Sequence, residues 1–164
     1  MRSPAHVVTN TVVVRQNLEL LEDTVRLLHR LGVRHAQLAL VHLVGTAAER
    51  HGEVAPLIDR AAERMAGAVR AGRALGMEVV TEAVPPCLLP GLEDAVVESR
   101  IPETTVVDLD GALFGFSAWR RTEGKAKGPP CEGCAFSARC EGPWREYPEH
   151  QGWEAYGRRG PPSD

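Results

Sequence analysis

Apolar positions along this chain fall into two alternating rhythms, one of strand type and one of helix type. The segment His6 to Val14 (HVVTNTVVV) is short, β-branched and largely apolar, the pattern of a strand covered on both faces. Asn17 then stands where a helix cap belongs. Leu18, Leu21, Val25 and Leu28 follow at helical spacing, and Gly32 closes a helix ending near Leu31. A second strand is predicted over His35 to His42. A loop from Leu43 to Ala55, with Gly45 and Gly52, leads to Pro56, a residue suited to a first helical turn. Ile58, Ala62, Met65, Val69 and Leu75 form the stripe of the next helix, which stops at Gly76, and Met77 to Val84 makes a third strand. This β-α-β-α-β order predicts a parallel sheet with right-handed crossovers.

Pro85-Pro86 ends the regular region. Cys87 to Arg100 reads as a loop or short helix, and Thr104 to Ser117 as a strand pair turning at Asp110-Gly111. A polar linker, RRTEGKAKGPP, precedes a cysteine-rich segment, and Arg158 to Asp164 reads as a frayed, disordered tail. The expected units are therefore residues 1–86, 87–157 and 158–164. Three parallel strands make a small sheet. It is either a compact three-layer unit whose edges the carboxyl segment covers, or half of a larger βα barrel. The barrel is favoured because a bare apolar edge strand is an association liability.

Composition narrows the functional classes. Nineteen Lys and Arg against 22 Asp and Glu give a formal charge of −3, which offers no electrostatic case for nucleic acid or anionic membranes. No apolar run approaches a transmembrane length, and no secretory pattern opens the sequence, so the cytoplasm is the expected compartment.

The chemistry concentrates in the cysteines. Of four in the chain, Cys131, Cys134 and Cys140 form C-x2-C-x5-C, and the other is Cys87, just beyond the third predicted strand. Two thiolates on one turn grip a metal centre from one side and a third closes another, and thiolate is the soft ligand that iron–sulfur clusters and structural zinc require. Without an export signal, this spacing favours metal over disulfides. Gly133 lets the first turn fold tightly, and Gly142 leaves space beyond Cys140. Cys87 falls at the carboxyl end of a parallel strand, the edge where open α/β sheets and barrels bind ligands. With all four as ligands the expectation is one [4Fe–4S] cluster pinning the tail to the sheet. With Cys87 as a bystander, three ligands leave one iron open. Spacing alone does not separate iron from zinc.

Several segments, in order, resemble the radical S-adenosylmethionine superfamily: the carboxyl-terminal half of its barrel followed by an auxiliary iron–sulfur domain of the SPASM or twitch type. TNTVVVRQNLELLEDTVRLLHRLGV is similar to the fourth strand and helix of that barrel, and AQLALVHLVGTA to the fifth strand and its glycine-containing loop. VVTEAVPPCLLPGLEDAVVE resembles the sixth strand running into a Pro-Cys segment, and CEGCAFSARCEGPWREYPEHQGWE resembles the terminal cysteine motif. The resemblance covers about residues 6–156. It implies a fragment or split subunit of such an enzyme, working with S-adenosylmethionine, on a small-molecule or peptide substrate that the sequence does not identify. The superfamily's C-x3-C-x2-C signature is not in this sequence, so the chain by itself is not expected to cleave S-adenosylmethionine, and the missing amino-terminal half is expected in a longer protein or on a partner chain. The alternative is a non-enzymatic α/β interaction domain stapled by four-cysteine zinc.

The resemblance also assigns lesser roles. Asn10 falls where family members contact the cofactor's ribose or methionine part, though a hydrogen-bonded core amide is an equal reading. Gly45 falls where the chain approaches the cofactor, against a plain turn glycine, and Leu43-Val44-Gly45 departs from the family's glycine-rich pattern. Thr81 and Glu82 are placed either at the barrel mouth or in surface or interhelix contacts. His42 is a candidate proton donor or a structural histidine. Trp144, Tyr147 and Trp153 are read as packing that shields the metal site from water.

Overall fold

A computed structural model describes residues 5–109 and 111–157. It is a mixed α/β structure with one three-stranded parallel sheet and one two-stranded antiparallel sheet. The first half alternates strand and helix as the periodicity requires. β1 (Val8–Val13), α1 (Leu21–Arg30), β2 (His35–Leu40), two short helices α2 (Thr46–Glu49) and α3 (His51–Val54), α4 (Ile58–Ala74) and β3 (Glu78–Glu82) follow in order. The strands pair β1-β2-β3 in sequence, with Val8 opposite His35 and His35 opposite Glu78.

Both long helices lie on one face of this sheet. Val13, Ala36, Leu38, Leu40, Val79 and Thr81 are buried there with Leu21 and Val25 of α1 and Ala61, Ala62, Met65, Ala68 and Val69 of α4. The other face is open. Val8, Asn10 and Val12 are exposed, and His35, Gln37, Ala39, Val80 and Glu82 are only half-buried. The strand at His6 to Val14 is thus covered on one face, not both, because both crossover helices pack on the same side. No closed barrel is formed among the described residues.

Local chemistry corrects several boundaries. Asn17 makes no helix cap: its Oδ1 accepts the Val14 N–H at 2.9 Å and its Nδ2 donates to the Val12 carbonyl at 2.8 Å, tying off the end of β1. A single 3-10 turn, Leu18–Leu20, intervenes before α1. The stretch read as loop holds α2 and α3, and Pro56 precedes α4 instead of opening it. Leu75 lies past the last turn of α4 and is exposed.

Past β3 the chain makes three 3-10 turns, Pro86–Leu88, Glu93–Ala95 and Glu98–Arg100. Val96 bridges Thr81 in parallel, covering the β3 edge. The hairpin forms as β4 (Val106–Asp108) and β5 (Gly111–Leu113), with Asp110 of its turn outside the described residues. Then come α5 (Phe116–Trp119), a wide turn over Arg120–Gly124, the cysteine segment and α6 (Glu146–Gln151). Gln151 fastens the end to the sheet layer, accepting the Ile58 N–H and donating to the Pro56 carbonyl, each at 3.0 Å. The predicted tail at 158–164 lies outside the described residues. No helix among the described residues is long and apolar enough to cross a membrane.

Candidate metal centre

Cys87 sits in the 3-10 turn Pro86–Leu88, just beyond the end of β3 and so off the carboxyl edge of the parallel sheet. The other three cysteines are set by consecutive tight turns. Pro129–Cys131 is a 3-10 turn, the Cys134 N–H donates to the Cys131 carbonyl at 3.2 Å, and the Cys140 N–H donates to the Phe136 carbonyl at 2.9 Å. Gly133 takes φ of 72°, a left-handed conformation that glycine adopts without a Cβ penalty, and this folds the C-x2-C backbone round on itself. Gly142 also has positive φ, and a Cβ there would lie 1.9 Å from the Ala126 carbonyl oxygen. That close approach brings its N–H to the Cys140 sulfur at 3.2 Å.

None of the four cysteines is in a disulfide, and all are half-buried. Burial pushes the Cys140 thiol above its ordinary value. The Gly142 N–H opposes that rise, negative charge on Cys87 and Cys131 adds to it, and Lys125 lowers it. Cys140 therefore shares an electrostatic neighbourhood with sulfurs from both segments. Burial likewise raises the Tyr156 phenol, with Cys87 and Cys131 contributing. Among the described residues no three His, Cys, Asp or Glu side chains are grouped so as to hold a metal ion as they stand. The four sulfurs are of the chemical type that a thiolate centre uses.

Behind Cys140 lies a buried charge network, two of whose members, Arg120 and Lys125, belong to the segment expected to be a polar linker. Arg120 is fully buried, and its Nε and Nη2 donate to the Glu141 carboxylate at 2.7 and 2.9 Å. Lys125 is also buried, donating to Glu98 Oε1 at 2.7 Å and lying 5.3 Å from the centre of the Trp144 ring. The same Glu98 oxygen accepts the Ala83 N–H at 2.8 Å. Ala83 has φ of 68°, unusual for a residue with a Cβ, so Glu98 holds the chain in a strained turn as it leaves β3. Glu82, hydrogen bonded by Gln37, faces this network from the open side of the sheet. Desolvation first, and the charge of Glu98 second, push its carboxyl above the ordinary range. Charged residues in a Gly-containing run read as solvated. Nothing in local composition marks ion pairs that close between segments distant in sequence.

The remaining candidates scatter. Thr81 points into the helix-covered face and is fully buried, while Glu82 next to it looks the other way. Asn10 is exposed on the open face. Gly45 has φ of 54° and precedes α2, with no atom within 4 Å of where a Cβ would be. His42 stacks on Trp144 at 3.9 Å, its Nε2 3.4 Å from the Glu146 carboxylate. Trp144 and Tyr147 are buried, and Trp153 packs edge-on against Tyr156 and flat over Gly128. Comparison with protein-family models, with curated proteins and with solved structures finds no match to this chain.

Proposed function

We propose that this chain carries the auxiliary iron–sulfur centre of a radical S-adenosylmethionine enzyme, held by Cys87, Cys131, Cys134 and Cys140. What supports the proposal is that Cys87, off the sheet edge, and Cys131, in the carboxyl segment, both lie close enough to Cys140 and Tyr156 to act on them electrostatically. A cluster spreads its thiolates over separate irons and so accepts sulfurs further apart than one zinc ion does, whose ligands all lie about 2.3 Å from one point. Such a centre, when bound, supplies electron relay, a substrate anchor or a staple for the fold. The chain's own residues supply the rest. Gly142 donates to Cys140, Lys125 and Arg120 set positive charge behind it, and Trp144, Trp153 and Tyr156 keep water away.

Support for the barrel part comes from the sheet. Strands in the order β1-β2-β3 with both helices on one face suit the wall of a βα barrel, whose inner face is the one left open here. On this reading Asn10, exposed on that face, and Gly45, after β2, serve S-adenosylmethionine. The radical-generating cluster is then held by residues other than these 164.

Anaerobic reconstitution with ferrous iron and sulfide tests the proposal. The expected result is a broad visible charge-transfer absorption with about four irons per chain. It is lost in Cys131→Ser and Cys134→Ser and weakened in Cys87→Ser. Stoichiometric zinc with no such absorption sinks the cluster and leaves the zinc-stapled interaction domain.

A further inference from the structure

We propose that two copies of this chain pair through α1, with the two helices antiparallel across a twofold axis near Leu27. The contact uses α1 alone and needs no metal, so it is independent of the cluster reading.

The first observation is an apolar stripe on a helix whose other flanks are already packed. α1 buries Leu21 and Val25 against the sheet. Its α4 flank is covered, with Glu22 beside Gly67 and Glu19 paired to Arg60 and Arg64. The flank away from α4 carries Leu20, Thr24, Leu27 and Leu31, spaced i, i+4, i+7 and i+11, which is one line along a helix. Leu20, Leu27 and Leu31 are 55%, 46% and 70% exposed. The Thr24 hydroxyl donates to the Leu20 carbonyl at 2.9 Å, so it brings no unmet donor to the stripe. Apolar side chains lined up on an uncovered helix flank form the seam of a helix pair.

The second observation is charge, and it selects the occupant. Asp23 and Arg30 border the stripe on its solvent side, one towards each end of α1. Arg30 is exposed and takes part in no ion pair among the described residues. The Asp23 side chain is 75% exposed, and its contact with Arg26 at 3.1 Å leaves room for a second cation. The other cations nearby are engaged, Arg26 also with Glu22, and Arg34 with the His29 and Val33 carbonyls. A second copy laid parallel would set Asp23 on Asp23 and Arg30 on Arg30. Laid antiparallel, it sets Asp23 of each copy opposite Arg30 of the other. The same register brings Leu27 beside its own counterpart and Leu20 beside Leu31. All three pairs centre between Val25 and Leu27, within a residue or two of about 1.5 Å rise each. A twofold contact has to be self-complementary in shape and in charge together, and this flank is both.

Sedimentation of the chain under reducing conditions, from about 1 µM to 1 mM, tests this. A monomer–dimer equilibrium is expected, of the weak class, because a helix pair about three turns long buries less than a standard interface. Leu27→Glu should leave monomer alone. Asp23→Arg and Arg30→Asp should each weaken the dimer about tenfold, since both symmetric contacts turn from attraction to repulsion. Mixing those two variant chains restores opposite charges at both contacts and should return dimer to its original level. All three positions are exposed, so urea midpoints should hold. If Leu27→Glu fails to fold, the charge variants and their mixture decide alone. Monomer at the highest concentration overturns the proposal and leaves the flank to a helix from a different chain. Indifference to Leu27→Glu, or a mixture no better paired than its components, overturns it as well. Dimer formed by chain that takes up no iron upholds this contact while the cluster reading falls.

Discussion

Glu82 shows at the scale of one residue how the buried network governs behaviour. Its carboxyl is raised by desolvation and then by Glu98, against the opposing pull of Lys125, Arg120 and the Gln37 hydrogen bond. The folded chain therefore holds this proton to higher pH than the unfolded chain, whose glutamates titrate near about 4.3. Between that value and the raised one the folded state binds more protons, so this residue makes stability fall as pH climbs. Glu141 acts oppositely and elsewhere: Arg120 and Lys125 outweigh burial and lower its carboxyl, so its contribution is lost only as pH falls below the ordinary range. Glu82→Gln should flatten the decline in the urea midpoint as pH climbs above about 4.3. An unchanged slope would remove Glu82 from this role. None of this was legible in the sequence, where Glu82 reads as one polar position late in a strand. The partners that shift it come from residues 98, 120 and 125, which only folding brings near.

The elements themselves were largely legible, because helix and strand periods record which side of a segment is buried. β1, α1, β2, α4 and β3 lie within or close to their expected ranges. The misses are at their ends. Asn17 was read as a cap by residue type, but its side chain satisfies strand backbone at Val12 and Val14, which competes with capping. How closely α4 seats on the sheet is set by Gly72. A Cβ there would stand 2.2 Å from Val79 Cγ2 and 3.3 Å from Val25 Cγ1, so the glycine admits β3 and α1 at once. Gly72→Ala gains up to about 1 kcal/mol of helix propensity and loses about 1–3 kcal/mol to overpacking. Net destabilisation in urea unfolding is expected, and Val79→Ala in the same chain should recover part of it. If Val79→Ala adds its own full cost instead, the contact does not set the helix–sheet distance.

Across the whole molecule the parallel sheet is asymmetric. Its β3 edge is covered by Val96, its β1 edge exposes Val8 and Val12, and one face lacks helices. Parallel sheets normally have both faces covered, so this surface is where further βα units belong on the proposed reading. In hydrogen exchange, amides of β2 should be the slowest in the sheet and those of β1 clearly faster. Equal protection of β1 and β2 would mean that the edge is paired in solution. The sequence by itself determined the alternation of strands and helices, the hairpin and the spacing of the three tail cysteines, since each depends on residues near one another in the chain. Tertiary structure decided that both helices share a face, that Cys87 comes within electrostatic range of Cys140, and that Arg120 and Lys125 are interior. These depend on which distant segments exclude water together, and charge pairs or sulfur neighbours formed that way leave no local period to read.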